Sequence, residues 1–333
     1  MKIKLKNMTF LAFVLGTLPM KYAVAATPGD YDGDGKADLA LVDEDPPEDK
    51  TTVFVRKSSS NRGGELKYTF FPYGDFVVSR RISGDAKTYP GIVHKPSTAG
   101  APLTWYWKTP SGAQESFQYG VLGDEPVPGD LDCDGTTDYV VVRDGTSDFW
   151  PGFKLWYAML SSNPGVVHRQ VFGLANDRFK SQDIDGDGCD EIVALRNDFT
   201  FYSKPFFAGE EQTTAVQWGL GNDKFLWPAD MDGDNIPNYA ITRSDGTNST
   251  LFVRTPAGAA TVSGAGKSSS IPLIGNFFGS NTAAWFDRIS KKAAQFQVRK
   301  LDQSLSTVKF GNKNRGVLRP DGSYVAEGRT GTF

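Results

Sequence analysis

The sequence predicts an all-β protein, a β-propeller built from four-stranded antiparallel blades. Two markers recur along its 333 residues, an acidic nine-residue loop and an aromatic–glycine pair. Both repeat at intervals of about 45 to 55 residues, a period typical of propeller blades or of another repeat array. The chain shows no long amphipathic helix, and its 36 glycines and 19 prolines suit a fold with many turns.

The acidic loop is clearest at 183–191, where carboxylates occupy positions 1, 3, 5 and 9 and Gly188 occupies position 6. Alternate carboxylates can surround a hard cation while glycine makes the sharp turn. The loops at 30–38 and 130–138 match closely, and 230–238 is a weaker copy. In the weaker copy Asn235 replaces glycine and Asn238 replaces the last carboxylate, so we expect weaker binding there. Four loops in register predict calcium binding.

An EF-hand opens with the same pattern but requires a glutamate at position 12 and helices on both sides. Position 12 is Leu41, Val141, Ala194 or Ile241 in the four loops. Each of these residues lies in a short β-rich run, such as Leu39-Ala-Leu-Val42, which excludes an EF-hand. The loops therefore lead into strands.

The string G-D-x-D-G-D-G-x-x-D followed by Leu39-Ala-Leu-Val42 resembles the FG-GAP repeat, also called the VCBS repeat, of integrin-type β-propellers. The resemblance implies that each loop joins the first two strands of a blade and that the chain holds three to four calcium ions. We predict that positions 1, 3, 5, 7 and 9 are the metal-binding positions: Asp30, Asp32, Asp34, Lys36, Asp38, Asp130, Asp132, Asp134, Thr136, Asp138, Asp183, Asp185, Asp187, Cys189, Glu191, Asp230, Asp232, Asp234, Ile236 and Asn238.

The spacing of the loops sets the number of blades. The loops begin at 30, 130, 183 and 230, so the first gap is twice the others and a degenerate copy is expected near residues 83–94. A second degenerate copy is expected near 274–286. The aromatic–glycine pairs keep the same period: Tyr73-Gly74, Tyr119-Gly120, Phe172-Gly173, Trp218-Gly219 and Phe310-Gly311. We predict six blades, with seven blades, the last one partial, as the alternative.

The two ends of the chain have separate roles in this prediction. Residues 1–25 have a basic start, a short apolar core and the A-x-A signal Ala23-Val-Ala25, which is typical of a secretory signal peptide. Residues 26–333 then form a single propeller domain. The first loop follows so soon that little chain remains for the first strand of its blade. We expect Gly316–Arg319, in a hairpin that turns at Asp321-Gly322, to supply that strand and close the ring.

Charge and hydropathy exclude two classes of partner. Removing 1–25 takes away Lys2, Lys4, Lys6 and Lys21, so the net charge changes from −3 to −7. Fifteen of the 39 acidic residues occupy the predicted metal positions. No basic stripe is left to meet phosphates, so nucleic acid is not expected as a partner. No apolar run reaches the length of a transmembrane helix, so no membrane span is expected.

The two cysteines and two histidines offer little for catalysis. Cys133 and Cys189 lie in loops of consecutive units and can form a disulfide in an exported protein; the alternative is two small, partly buried thiols. His94 and His168 lie in different units without metal-ligand spacing, so we expect both to be structural. No nucleophile elbow, phosphate loop or zinc signature occurs.

Aromatic residues give the better indication of function. Candidates for a sugar-stacking or protein-contact surface are Trp105-Tyr-Trp107, Phe149-Trp150, Trp156-Tyr157 and Phe206-Phe207, with packing between blades as the alternative for each. The pair Phe149-Trp150 lies in a longer hairpin loop and is the best candidate for exposure.

We therefore expect a secreted, periplasmic or cell-surface propeller that is not an enzyme and that binds a glycan or a protein. Its calcium is expected to be mainly structural. The alternatives are a propeller enzyme acting on polysaccharide and a structural subunit of a cell-surface complex.

Overall fold

The computed structural model describes residues 27–59, 64–231, 233–255, 258–277, 282–290, 293–300, 305–310, 316–319 and 324–325. The predicted signal peptide and the turn at Asp321-Gly322 lie outside these residues. Within them the chain forms six antiparallel sheets and two short 3₁₀ helices, Pro46–Glu48 and Glu210–Gln212. Among the described residues no helix is long and apolar enough to cross a bilayer.

We name the sheets blades A to F in chain order. Blade A contains β1 (Leu39–Asp45), β2 (Lys50–Arg56) and β3 (Glu65–Phe70), together with β24 (Gly316–Leu318) and β25 (Tyr324–Val325). Blade B contains β4 (Phe76–Arg81), β5 (Thr88–His94), β6 (Pro102–Lys108) and β7 (Gln114–Val121). Blade C contains β8 (Glu125–Pro126), β9 (Tyr139–Thr146), β10 (Phe149–Met159) and β11 (Val167–Leu174).

The other three blades follow the same order of strands. Blade D contains β12 (Arg178–Gln182), β13 (Glu191–Leu195), β14 (Thr200–Lys204) and β15 (Thr214–Gln217). Blade E contains β16 (Lys224–Ala229), β17 (Asn238–Ser244), β18 (Asn248–Thr255) and β19 (Gly258–Lys267). Blade F contains β20 (Ile271–Ile274), β21 (Thr282–Ser290), β22 (Ala293–Lys300) and β23 (Leu305–Lys309).

The ring is closed by the C-terminal part of the chain. β24 pairs antiparallel with β1, with Ala40 opposite Leu318 and Val42 opposite Gly316, and therefore takes the place of the innermost strand of blade A. β25 pairs with β24 on its other side. The predicted closing hairpin and the six-blade count are both confirmed, and the molecule is a six-bladed β-propeller with no seventh blade in the described part of the chain.

The hydrophobic core lies between neighbouring blades. The second strand of a blade packs against a blade on each side, so its residues are apolar on both faces, and all five residues of β13 are buried. One core cluster joins Val140, Trp156 and Phe172 of blade C to Phe179 and Ile192 of blade D. Inter-blade burial of this kind favours large side chains, and Trp105, Trp156, Trp227 and Trp285 are all fully or almost fully buried.

Three blades share the same ion pair at the end of the sheet opposite the acidic loops. The guanidinium groups of Arg143, Arg196 and Arg243, near the ends of their second strands, bind the buried carboxylates of Asp124, Asp177 and Asp223. Each arginine also lies over an aromatic ring of the third strand, at 4.4 to 4.8 Å from the centroid. This motif was not predicted from the sequence, although the 19- or 20-residue spacing of aspartate and arginine recurs in three units.

Blades B and F keep the position of this contact with other residues. His94 faces Asp75 in blade B, with Nδ1 3.5 Å from Oδ2, and the same nitrogen lies 2.9 Å from the carbonyl oxygen of Tyr73. In blade F the hydroxyl of Ser270 donates to Asp287. His94 therefore has the structural role that the sequence predicts. His168 packs edge-on against Phe207 at 5.3 Å and is a member of none of the three acidic clusters found among the described residues.

Candidate metal centres and the face that carries them

The four acidic loops lie at one end of the propeller, which we call the metal face. We name them loop A (30–38), loop C (130–138), loop D (183–191) and loop E (230–238), after the blades they belong to. Loops C, D and E join the first strand of their blade to the second, as predicted; loop A leads into β1, the second strand of blade A, whose first strand is supplied by β24. The loops between third and fourth strands lie at the same end of the sheets.

The carboxylate at position 1 shapes each loop. In loop A, Asp30 accepts hydrogen bonds from the amides of Gly33 at 2.6 Å and Gly35 at 2.7 Å. In loop D, Asp183 accepts from Gly186 and Gly188, and Asp130 and Asp230 accept from backbone amides of loops C and E. The loop backbone therefore wraps around one carboxylate in all four copies.

Position 9 closes each loop. Its side-chain oxygen accepts the amide of position 2: Asp38 from Tyr31, Asp138 from Leu131, Glu191 from Ile184 and Asn238 from Met231, at 2.8 to 2.9 Å. The second oxygen of Asp38 and of Asp138 accepts a backbone amide from the loop between the third and fourth strands, Ser58 at 2.6 Å and Ser161 at 2.7 Å. The position 9 residues are buried, so the loop is fixed at both ends.

Three loops bring carboxylates together. The groups are Asp30, Asp32 and Asp38; Asp130, Asp132 and Asp138; and Asp183, Asp185 and Glu191, each with one oxygen from every member within 4.8 Å of the others. These residues are positions 1, 3 and 9 of their loops. Only oxygen donors are present, which is the ligand chemistry of a hard cation such as calcium.

One oxygen of Asp32 and the equivalent oxygen of Asp132 are buried and have no hydrogen-bond partner among the described residues. The other oxygen of each accepts a serine hydroxyl, Ser59 in loop A and Ser162 in loop C. A buried carboxylate oxygen without a partner is costly, and a bound cation would satisfy it. The residues of loops A and C therefore fit a metal ion.

The protonation of these groups reflects the same environment. Burial raises the pKa of Asp38 and of Asp138 to about 7 and that of Glu191 to about 8, each against the pull of backbone hydrogen bonds. Burial also raises the pKa of Asp130 and of Asp183 to about 6 and raises the pKa of Asp30. A cation would supply the positive charge that the ionised forms lack.

The side chains at positions 5 and 7, which were also predicted to bind metal, lie outside the carboxylate triads. Asp34 and Asp134 accept hydroxyl hydrogen bonds from Ser58 and Ser161 and stand outside the triads. The position 7 side chains are also directed elsewhere: Lys36 approaches Asp34 at 3.8 Å, Thr136 accepts the amide of Ser83, Cys189 is in a disulfide, and Ile236 is partly exposed. A contribution from position 7 would therefore come from its backbone carbonyl.

Loops D and E depart from this arrangement. By strand register, Phe206-Phe207 of blade D stands where Ser58-Ser59 and Ser161-Ser162 stand in blades A and C. The longer side chain of Glu191 completes the loop D triad without those serines. In loop E, Asn235 has the left-handed conformation of the glycines it replaces, with φ of 67°. Asp232 lies outside the described residues, and Asp234 accepts the amide of Ile236.

A ring of backbone hydrogen bonds connects the loops of neighbouring blades. The amide at position 8 donates to the carbonyl at the first position of the preceding loop: Ala37 to Asn276, Thr88 to Asp30, Thr137 to Arg81 and Asp190 to Asp130. Position 8 of loop E is Pro237, which has no amide to donate. Residues 81–89 are thus the degenerate loop of blade B, with Arg81 and Tyr89 in place of the first and last carboxylates.

Two side-chain links reinforce loops C and D. Cys133 and Cys189 form a disulfide between them, with Cα atoms 4.7 Å apart, so of the two alternatives left open by the sequence the structure has the disulfide. Cys133 has a φ of 64° at the position where loops A, D and E have glycine. The guanidinium of Arg81 binds Asp190 at 2.5 Å, and Asp190 also accepts the amides of Asp130 and Asp183.

The axial channel opens at the metal face. It contains a cavity of about 330 Å³ lined by residues from all six blades, including Arg81, Lys180, Asp183 and Asp230. A second cavity of about 240 Å³ lies between blades A and B, beside loop A, and is lined in part by Tyr31, Tyr68 and Tyr89. Burial raises the pKa of Tyr68 to about 12, so its phenol is protonated at neutral pH.

Most of the candidate aromatic surface is interior. Trp105 and Trp107 stack at 5.9 Å on one face of β6 but are buried, as are Trp156 and Phe206, so packing between blades accounts for them. Phe207 is 53% exposed. The prediction holds best for Phe149 and Trp150, which are 70% and 51% exposed in the β9–β10 hairpin on the face opposite the metal loops. Phe153 and Leu174, also exposed, pair in register beside them.

Comparison with known proteins supports the fold. A search of solved structures finds TolB from Acinetobacter baumannii, with a TM-score of 0.52 and 15% sequence identity, over 86% of this chain and 65% of that protein. The present chain thus spans less than two thirds of the length of that relative. No protein-family model matches the chain, and no curated protein matches it. The membership of the FG-GAP repeat family stays a prediction from the loop sequences.

Proposed function

We propose that this chain is an exported, calcium-binding β-propeller of the FG-GAP type that acts as a non-enzymatic binding module. The observation that carries the proposal is the recurrence of three oxygen-only carboxylate triads at equivalent positions of the fold. A single acidic cluster is common on protein surfaces. Three clusters in register, in loops already wrapped around one buried carboxylate, favour a common ligand.

Calcium would be held in loop A by Asp30, Asp32 and Asp38, in loop C by Asp130, Asp132 and Asp138, and in loop D by Asp183, Asp185 and Glu191. When bound, it would neutralise carboxylates that repel one another. Loop E, with Asp230 and Asn238, is proposed as a weaker fourth site. The main role of the metal would be structural, because the same loops carry the hydrogen bonds that join neighbouring blades.

A propeller whose loops are held in this way presents a rigid surface, which lowers the entropy lost on binding a ligand. The ligand is proposed to be a glycan or a protein. For a protein partner, the exposed group Phe149, Trp150, Phe153 and Leu174 is the favoured contact surface, because exposed apolar clusters mark interaction sites. This surface would also serve if the chain is a structural subunit of a larger cell-surface complex.

An enzyme acting on polysaccharide is the second candidate. The observation that favours it is the cavity between blades A and B, where Tyr68, Lys57 and Lys87 lie beside loop A. The raised pKa of Tyr68 makes this phenol a poor general base at neutral pH, which favours binding over catalysis. Assaying polysaccharides for new reducing ends would distinguish the two, since a binding module releases none.

Export is proposed on two grounds. The first 25 residues have the pattern of a secretory signal peptide. The disulfide between Cys133 and Cys189 supports an oxidising compartment, where such bonds persist. N-terminal sequencing of the exported protein should begin at residue 26 or 27, and finding Met1 would contradict the proposal.

The binding function is tested by probing the protein on an array of glycans and matrix proteins, in millimolar calcium and in excess EDTA. We expect binding in calcium that is lost or weakened in EDTA. Melting curves in both buffers separate an effect on the fold from an effect on the site. Absence of any binding in calcium, with the protein folded, would contradict the binding-module proposal.

A further inference from the structure

The cavity of about 240 Å³ between blades A and B, which we call the A/B pocket, opens on the metal face beside loop A. We propose that the A/B pocket binds a sugar residue that carries a carboxylate. The proposal deepens the binding function proposed above and rests on it for the choice of glycan over protein as the ligand.

The pocket has an aromatic wall. Tyr31 and Tyr89 are almost fully buried and Tyr68 is partly buried, so their positions are fixed by packing. The hydroxyl of Tyr89 donates to Asp85 at 2.7 Å, which further fixes that ring. Aromatic rings with a polar edge combine a flat apolar surface with hydrogen-bonding capacity, which suits the mixed apolar and hydroxyl surfaces of a sugar ring.

This wall is specific to one of the inter-blade positions. Tyr31 is at position 2 of loop A, where loops C, D and E have Leu131, Ile184 and Met231. By strand register, Tyr68 stands where blade C has Gln170 and blade D has Val216. The repeated fold therefore does not require tyrosines at these positions. Tyr31 belongs to the core cluster between blades A and B and Tyr68 packs against that cluster, so Tyr68, which is partly exposed, offers the accessible part of the wall.

Two lysines and one aspartate line the A/B pocket. Lys57 and Lys87 line it, and neither ammonium group makes an ion pair or hydrogen bond with a described residue. The stem of Lys87 lies along loop A, since a Cβ placed on Gly33 would be 3.2 Å from its Cγ. The acid that lines it among the described residues, Asp32, has one oxygen bound by the Ser59 hydroxyl and the other buried in the loop A triad.

The volume of the A/B pocket and the charge of its lysines indicate what kind of ligand it can hold. The cavity is smaller than the ~300 Å³ at which pockets for drug-sized molecules begin, so it has room for about one sugar ring. Two unpaired ammonium groups favour an anion, and a carboxylate is the anionic group that accompanies a ring of hydroxyls in an acidic sugar. The polar groups of Thr109 and Tyr68 can form hydrogen bonds with those hydroxyls.

The test uses isothermal titration of the full chain in millimolar calcium with a galacturonate trimer, and with a neutral galactose trimer as the comparison. We expect binding of the acidic trimer alone. Lys57→Met and Lys87→Met should each weaken it about tenfold, the loss expected for one charge-assisted hydrogen bond. Lys67→Met is the matched control, because this exposed residue lies next to Tyr68 in β3 and outside the pocket; it should bind as the parent does.

Three results would overturn the proposal. Equal binding of the neutral trimer would show that the carboxylate of the sugar is not required. Displacement of the acidic trimer by inorganic sulfate at the same concentration would show that the pocket binds anions in general. Absence of binding by the acidic trimer would contradict it outright. Melting temperatures of the same samples show that each variant is folded. A melting temperature that is higher in calcium than without it would support the calcium-stabilised propeller even if the sugar proposal is contradicted.

Discussion

The loops of blades A and B that face the same end of the propeller have similar backbone contacts and different side chains. In both blades the loop that precedes the second strand lies at the metal face and forms backbone hydrogen bonds with loops of neighbouring blades. Loop A carries three carboxylates, those of Asp30, Asp32 and Asp38, which together fit an external cation. The loop of blade B has Arg81 at the first position and Tyr89 at the last, and Arg81 supplies its own positive charge to Asp190.

The difference between these blades indicates that the backbone hydrogen bond between neighbouring loops does not require a carboxylate triad. An acidic loop requires a counter-ion because its carboxylates are buried together. The guanidinium of Arg81 supplies a positive charge from within the chain, and the carboxylate that receives it is Asp190 of loop D. The stability of the acidic loops should therefore depend on calcium and on pH, and the contribution of Arg81 should be larger without calcium, because Arg81 also faces Asp130 and Asp183.

Removing calcium should have the largest effect. Three sites, each with a dissociation constant near ~10⁻⁴ M, would together stabilise the fold by about 4 kcal/mol in millimolar calcium. For a domain of this size, that corresponds to a melting temperature lower by roughly 6 °C. Calorimetry in calcium and in excess EDTA measures the difference. Superimposable melting curves would contradict a stabilising metal.

Arg81→Met should be the next largest change. It leaves the buried carboxylate of Asp190 without its cation, a loss expected to destabilise the fold by about 3 kcal/mol. The loss should be larger in EDTA than in calcium, because Arg81 also interacts electrostatically with Asp130 and Asp183, whose charge calcium would neutralise. Arg80→Met is the matched control: Arg80 pairs with the exposed Glu115 at 3.8 Å, and its loss should cost about 1 kcal/mol or less. Equal effects of the two substitutions would show that the Arg81 link is not special.

The pH dependence of stability should have opposite directions with and without metal. Burial raises the pKa of Asp38 and of Asp138 from the ordinary value of 3.8 to about 7, so the folded protein binds these protons more tightly than the unfolded chain does. Their contribution to stability is present at low pH and is lost as the pH rises through about 7. In EDTA, the melting temperature should fall between about pH 4 and about pH 7.

Calcium replaces those protons, so the stabilisation by calcium should increase over the same range of pH. Melting temperatures at several pH values, with calcium and with EDTA, give this difference directly. A difference that decreases as the pH rises would contradict the assignment of the buried carboxyls as the metal ligands.

Asn238→Asp should have the smallest effect on the fold and a visible one on metal binding. Asn238 already accepts the amide of Met231 as the acids of the other loops do, and its Nδ2 is buried without a partner among the described residues. A carboxylate there adds the missing charge, so loop E should bind calcium several-fold more tightly. Calcium titration of the variant beside the parent measures the gain. Unchanged binding would show that Pro237 or Asn235 limits this loop instead.

Much of this fold is predictable because its signals are local or periodic. The loop pattern and the apolar run after it place the second strand of each blade, and the spacing indicates six blades and the closing strand Gly316–Leu318. The left-handed conformation of Asn235 also follows from residue chemistry. What the sequence did not reveal depends on pairs brought together by the closed ring, such as Arg81 with Asp190, 109 residues apart.

The burial of the aromatics shows the same limit. Trp105 and Phe149 lie in comparable alternating strands, yet Trp105 is buried between blades and Phe149 is exposed at a hairpin. Only the position along the strand, relative to the neighbouring blade, separates them. The aspartate–arginine pairs could have been found from their repeated spacing, whereas the convergence of Tyr31, Tyr68 and Tyr89 could not, because these residues belong to two blades and three elements.

The most direct test of the metal assignment is a count of bound calcium per chain by equilibrium dialysis. We predict about three ions bound at low millimolar calcium, one for each triad, and a weaker fourth. The matched variants Asp32→Asn and Asp132→Asn should each remove one ion and leave the others. A count of zero, or a count that neither variant changes, would contradict the claim that these loops are calcium sites.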